Sequence, residues 1–192
     1  TGLMMVVLTG AELFTGNVMM TFSVIEKKTS LAKLLRNWSI VYFGNFVGSI
    51  LIALLIYYSG CSHNSHEALG VLSLTTAYQK VNLTFVEAFT RGILCNWLVC
   101  LAIWMASSSK FVIGKIFAIF FPIMTFVASG YEHSIANMFF LTNGIFAKHT
   151  AAIVAASGLS ADQLATLNMK TIFTANPVSY THLRAHETDQ YL

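Results

Sequence analysis

The chain has 192 residues, 56% of them hydrophobic and only 10% charged, with a formal net charge of +3 and a mean hydropathy of +0.67. Soluble domains carry about 25% charged residues, so this composition excludes an ordinary water-soluble domain and marks an integral membrane protein. The few positive charges form no basic stripe, which excludes nucleic acid as a partner. Cys61, Cys95 and Cys100 make no CxxC pair and read as small hydrophobes, not as a disulfide framework.

In chain order, Thr1 opens directly into apolar sequence, from which no signal peptide can be judged. Leu3 to Ile25 is apolar but interrupted by "TGAELFTGN". Asn37 to Gly60 is an uninterrupted stretch, long enough for the ~20 apolar residues that cross a bilayer core. Leu83 to Ala106 is a second such span, with Glu87 and Arg91 four residues apart on one helical face, where they can neutralise each other.

Phe111 to Ala147 is 37 residues, too long for one straight span, and its second piece, Ile135 to Ala147, is 13 residues, too short to cross alone. A surface hairpin or a helix broken within the membrane would each fit. The short second piece favours the break. Unpaired backbone is tolerated at depth only where protein or a cavity surrounds it. With the glycine-broken segment near the N-terminus, this makes two interrupted apolar segments in different halves, the usual pointer to a transport site. From about Val178 the sequence turns abruptly polar and His-rich and reads as a non-native tail, the alternative being a disordered terminus.

Connecting segments set orientation. "EKKTSLAKLLR" carries four basic residues and one acid, and "SSSKFVIGK" two basic residues. The positive-inside rule makes their side cytoplasmic, so Cys61 to Asn82 and Lys148 to Phe173 are outer loops, the latter holding a short surface helix. "CSHNSH" contains Cys61, His63 and His66, but no second cluster accompanies them and no metal site is assigned.

"AELFTGN", "NWSIVYFGNFVGS", "GILCNWLVCLAIWM" and "FVASGYEHSIANMFF" closely resemble the formate/nitrite transporter family, in the correct order and with similar spacing. The resemblance covers Thr1 to about Asn176. It implies a partial family domain at residues 1–176, with transmembrane helices two to five, followed by the tail at 177–192. The first helix, part of the second and the sixth would be missing. It further implies an all-α, aquaporin-like helical bundle with interrupted second and fifth transmembrane helices, a homopentameric parent, and a place in the inner or plasma membrane. The implied activity is that of a channel for small monovalent anions and protons, formate being the first guess and nitrite or hydrosulfide the others, with no cofactor and no enzymatic reaction.

Residue by residue, Thr15 matches the threonine of the loop interrupting helix two. Leu3 and Phe14 match the cytoplasmic constriction and Phe126 the periplasmic one. His133 matches the central pore histidine, with Glu132 beside it and Asn137 after it. Lys80 and Asn96 match the polar pair that makes the pore electropositive.

The chemistry suits these types. A small anion entering an apolar constriction loses its hydration at high cost, whereas its conjugate acid loses little. Lys80 at a pore mouth raises the local anion concentration. His133 changes charge near neutral pH, and Thr15 can donate or accept a hydrogen bond. The residues alone leave blander roles open. Glu132 reads as structural, Asn96 could bridge helices, and Leu3, Phe14 and Phe126 would face lipid or core in most membrane proteins. An aquaporin-like pore for neutral solutes is the alternative function. An intramembrane enzyme using Glu132 and His133 has no supporting motif, since neither HExxH nor GxSxG is present.

Overall fold

In a computed structural model, residues 2–63 and 66–174 are described. The tail at 177–192 and the end of "FTAN" lie outside them. The described residues fold into helices: α1 (Gly2–Thr9), α2 (Thr21–Ile25), α3 (Leu31–Tyr58), α4 (Ala68–Val81), α5 (Phe85–Ser108), α6 (Val112–Ala128), α7 (Ser134–Ala147), α8 (Ala151–Ser157), α9 (Ala161–Ala165) and α10 (Met169–Thr174). A 3-10 turn, Gly16–Met20, leads into α2. The fold is that of an all-α membrane protein. Among the described residues, helices α3 and α5 are the two long and apolar enough to cross a membrane unaided. Along α3, Ile40, Phe43, Val47, Leu51 and Leu55 recur every three or four residues, each more than half exposed. That is an apolar face suited to lipid and costly in water.

Both interruptions expected from the sequence are present, and both use the same stop. Helix α1 ends on Gly10 and helix α6 on Gly130, each in the left-handed region at φ +72° and +67°. After the first, Ala11 N–H donates to Val6 O at 3.0 Å. After the second, Tyr131 N–H donates to Phe126 O and Gly130 N–H to Val127 O, each at 3.1 Å. This is the Schellman closure, which satisfies the last carbonyls of a helix where it must stop abruptly. A side chain with Cβ adopts that conformation at a cost, hence glycine at both stops.

Contacts gather into two units. The first joins Thr1–Asn45 with Thr90–His133. Its core is built on Cys95, Val99, Ala102 and Ala106, spaced 4, 3 and 4 along one face of α5, with Leu3 and Ile119. The second joins Phe46–Phe89 with the residues from Ser134 onward. There α7 is buried on nearly every side. Leu74 and Ala77 of α4 pack with Leu141 and Ile145 of α7, and Ile153, Leu167 and Ile172 complete the cluster. Lys148 donates its ammonium hydrogens to the carbonyls of Leu164 and Leu167, closing the end of α9.

The stretch from Cys61 to Asn82, read as a loop, contains α4, a 14-residue helix. Its buried positions, Gly70, Leu74 and Ala77, have helical spacing, but two of the three are too small to stand out in a hydropathy pattern. Lys148 to Phe173 likewise holds three short helices, not one. Glu87 has a further role beside its spacing to Arg91. Its carboxylate accepts from Thr84 N–H and O–H at 2.9 and 2.8 Å, and Thr84 Oγ1 accepts from Glu87 N–H, so the two form a capping box at the start of α5.

Candidate functional site

The two breaks bring their polar side chains together in the first unit. Thr15, in the loop after α1, and His133, the residue before α7, are both buried, at 8% and 9% exposure. Thr15 Oγ1 lies 3.0 Å from His133 Nε2. Their separation of 118 residues makes this a tertiary contact that no local rule dictates. The bond works in either direction. A neutral imidazole with its proton on Nδ1 accepts the threonine O–H at Nε2. An imidazolium donates from Nε2 to Oγ1.

Phe126 lies over the imidazole, its ring centroid 5.9 Å away and the planes 22° apart. The closure at the α6 stop fixes it, because the Phe126 carbonyl accepts the Tyr131 amide. Glu132 is buried beside His133 at 5% exposure. Phe14 precedes Thr15, and its ring meets Trp38 and Tyr42 edge-on at 6.1 and 5.2 Å. Leu3 is buried in the core of this unit, against α5 and α6.

Asn96 lies one helical turn before Cys100 on α5. Its Nδ2 sits 3.7 Å from Cys100 Sγ, while its Oδ1 is buried with no hydrogen-bond partner among the described residues. Lys80 and Asn137 belong to the second unit. Lys80, in the last turn of α4, places its ammonium 5.4 Å from the centre of the Phe140 ring. Asn137 is buried in the first turn of α7. Thr15, Phe126 and His133 thus form one contiguous cluster. His63, of the "CSHNSH" segment, pairs with Glu67 at 2.8 Å.

Four side chains at the first break had no assigned role in the sequence: Glu12, Asn17, Asn37 and Asn45. The signal was present in "AELFTGN" and "NWSIVYFGN", two motifs that place asparagines in otherwise apolar sequence.

An all-α membrane chain with two apolar helices stopped on left-handed glycines, and a buried threonine–histidine contact between the stops, defines a polytopic membrane protein of the interrupted-helix kind. The chain belongs to the formate/nitrite transporter family, whose profile matches residues 1–181. It is 43% identical over 148 residues to the formate channel FocA of Haemophilus influenzae, covering 77% of this chain and 52% of that protein. It is 38% identical over 182 residues to FocA of Escherichia coli K12, covering 94% and 64% respectively. A solved pentameric formate channel with formate bound superposes with a TM-score of 0.81 at 36% identity, over 94% of this chain and 71% of that one. The chain therefore spans between about half and two thirds of the length of these curated relatives.

Proposed function

We propose that this chain forms the pore of a channel for small monovalent anions, with formate as first substrate and nitrite or hydrosulfide as the others. The observation that carries the reading is the buried hydrogen bond between Thr15 and His133, which joins the two helix breaks under the Phe126 ring. Relatives described as formate channels support the choice of anion. No enzymatic reaction is assigned.

In this mechanism Lys80 draws the anion toward the pore, and Phe14, with Leu3, and Phe126 form apolar constrictions on opposite sides of His133. A bare anion loses its hydration there at high cost. The N-terminus of α7 starts immediately after His133 and adds a partial positive charge that favours an anion beside the imidazole. His133 shares a proton with the anion, by transfer or by hydrogen bonding, and Thr15 holds the ring in register for it. Asn96 and Asn137 supply further polar groups along the path, and Glu132 supports the break. The working form is a homopentamer in the inner or plasma membrane.

The test is anion flux in proteoliposomes of the full-length protein, comparing formate, nitrite, hydrosulfide and lactate. Saturable formate flux that rises as pH falls is the expected result. Water permeability without anion flux would instead mark an aquaporin-like pore for neutral solutes.

A further inference from the structure

The loop from Glu12 to Asn17 carries Phe14 and Thr15, yet has little regular structure of its own. Its internal bonds are Gly16 N–H and Asn17 N–H donating to Leu13 O, at 3.0 and 3.1 Å, and Asn17 N–H to Phe14 O at 3.1 Å. Side-chain bonds supply the rest of its support, most of them from α3. Glu12 Oε2 accepts from Asn17 Nδ2 at 2.6 Å and from Asn37 Nδ2 at 3.0 Å. Asn17 Nδ2 also donates to Asn37 Oδ1 at 3.0 Å. Asn45 acts at both its ends, its Oδ1 accepting from Phe14 N–H at 3.1 Å and its Nδ2 donating to the Glu12 carbonyl at 3.3 Å. Trp38 Nε1 donates to the Asn17 carbonyl at 3.1 Å. At about 100° per residue, Trp38, Tyr42 and Asn45 share one side of α3, with Asn37 at its edge. The helix therefore presents a ready-made surface that accepts both the backbone of the loop and the Phe14 ring.

We infer that Glu12, with Asn37 and Asn45, is a positioning device that fixes where Phe14 and Thr15 stand, and so sets the size of anion the pore admits. The inference rests on the proposed pore role of Phe14 and Thr15. The carboxylate is the hinge of the device because it ties the entry of the loop, Glu12, to its exit, Asn17, and both to α3. Such charge-assisted bonds are about twice as strong as neutral ones. With them gone, the entry and exit of the loop are no longer tied to each other, and the turn bonds, Asn45, Trp38 Nε1 and the Thr15–His133 contact alone hold it, so the Phe14 ring is less firmly placed.

The test measures the lactate-to-formate flux ratio in proteoliposomes of the full-length protein, with Phe14→Ala as reference. Asn37→Asp sets a second carboxylate against Glu12 and removes the donor between them. It is expected to raise the ratio about tenfold, the loss of one bond to a charged group. Glu12→Gln alone keeps an oxygen that accepts both amides but loses the charge, and should raise the ratio less than Asn37→Asp does. Combining Glu12→Gln with Asn37→Asp restores a donor opposite an acceptor and should bring the ratio back. Recovery by a second substitution is a readout that general misfolding cannot produce. If Phe14→Ala raises the ratio while Asn37→Asp leaves it unchanged, or if the double variant fails to recover, the positioning role is overturned and the pore reading stands. If Phe14→Ala itself leaves the ratio unchanged, the pore reading falls and the inference with it.

Discussion

Replacing Thr15 by valine removes one hydroxyl and keeps nearly the same volume, so it isolates the contact with His133. Thr15 and His133 are both more than nine-tenths buried and their polar atoms lie 3.0 Å apart. Removing one partner of a buried hydrogen bond leaves the other desolvated, which costs about 1–3 kcal/mol. If the imidazole must keep its present orientation to meet the anion, that cost falls on transport. By the usual conversion of about 1.4 kcal/mol per tenfold, formate flux should fall by roughly 5- to 150-fold. Thr15→Ser keeps the oxygen and should lose no more than about fivefold, since one methyl at a packed site is worth about 1 kcal/mol. The assay is initial formate efflux from proteoliposomes at fixed protein-to-lipid ratio, with monodispersity in detergent as the folding control. A well-folded Thr15→Val channel running at the parent rate would refute the claim that this hydrogen bond orients the working imidazole.

His133→Phe should abolish the pH dependence of flux, whereas His133→Asn keeps a hydrogen-bonding group that cannot take up a proton. A His133→Asn channel with unchanged rate and pH profile would remove the proton-sharing step while leaving the anion pore. Phe126→Ala takes away the ring stacked on His133 and should increase leak, measured as lactate and chloride conductance in planar bilayers. Gly130→Ala forces a residue with Cβ to φ +67°, although the added carbon itself meets nothing within 4 Å. The expected loss is the conformational cost alone, about 1–2 kcal/mol, read as a lower thermal midpoint in detergent.

The architecture was legible where it depends on lengths and glycines. A 13-residue apolar remnant cannot cross a bilayer, and a glycine beside it offers a stop, so the interruption of α6–α7 follows from counting. Helix α7 shows why counting also misleads. It is buried by protein on nearly every side, so most of its apolar residues mark an interior position and not a lipid-facing span. Helix α4 escaped notice for the opposite reason. Its buried face is Gly70, Leu74 and Ala77, and only one of these is large enough to produce a periodic signal. The candidate site divides in the same way. A histidine in apolar sequence is conspicuous because it is costly there. The contact with Thr15 spans 118 residues, and only the family resemblance pointed to it. Asn37 and Asn45 lie in a stretch read as an uninterrupted span and were given no role, because an asparagine's partner cannot be seen from its own helix.

The use of one closure at both stops bears on why the site lies where it does. A continuous helix satisfies every backbone group internally and can present only side chains to a pore. An interrupted helix can also deliver a loop side chain from its end, but each stop leaves carbonyls that lipid cannot satisfy. The Schellman geometry resolves this within two residues, so the chain leaves the helix axis without leaving those carbonyls orphaned. After Gly130 only Tyr131 and Glu132 intervene before His133, and α7 begins at the next residue. After Gly10 the path to Thr15 is longer, and beyond the closure the asparagines of α3 and the carboxylate of Glu12 hold it. The first stop is thus the one that depends on side chains from elsewhere in the fold. Substitutions on α3, a helix that supplies none of the proposed pore residues, should therefore act on selectivity through Phe14 and Thr15, while the backbone at His133 keeps its place through the local geometry of its own break.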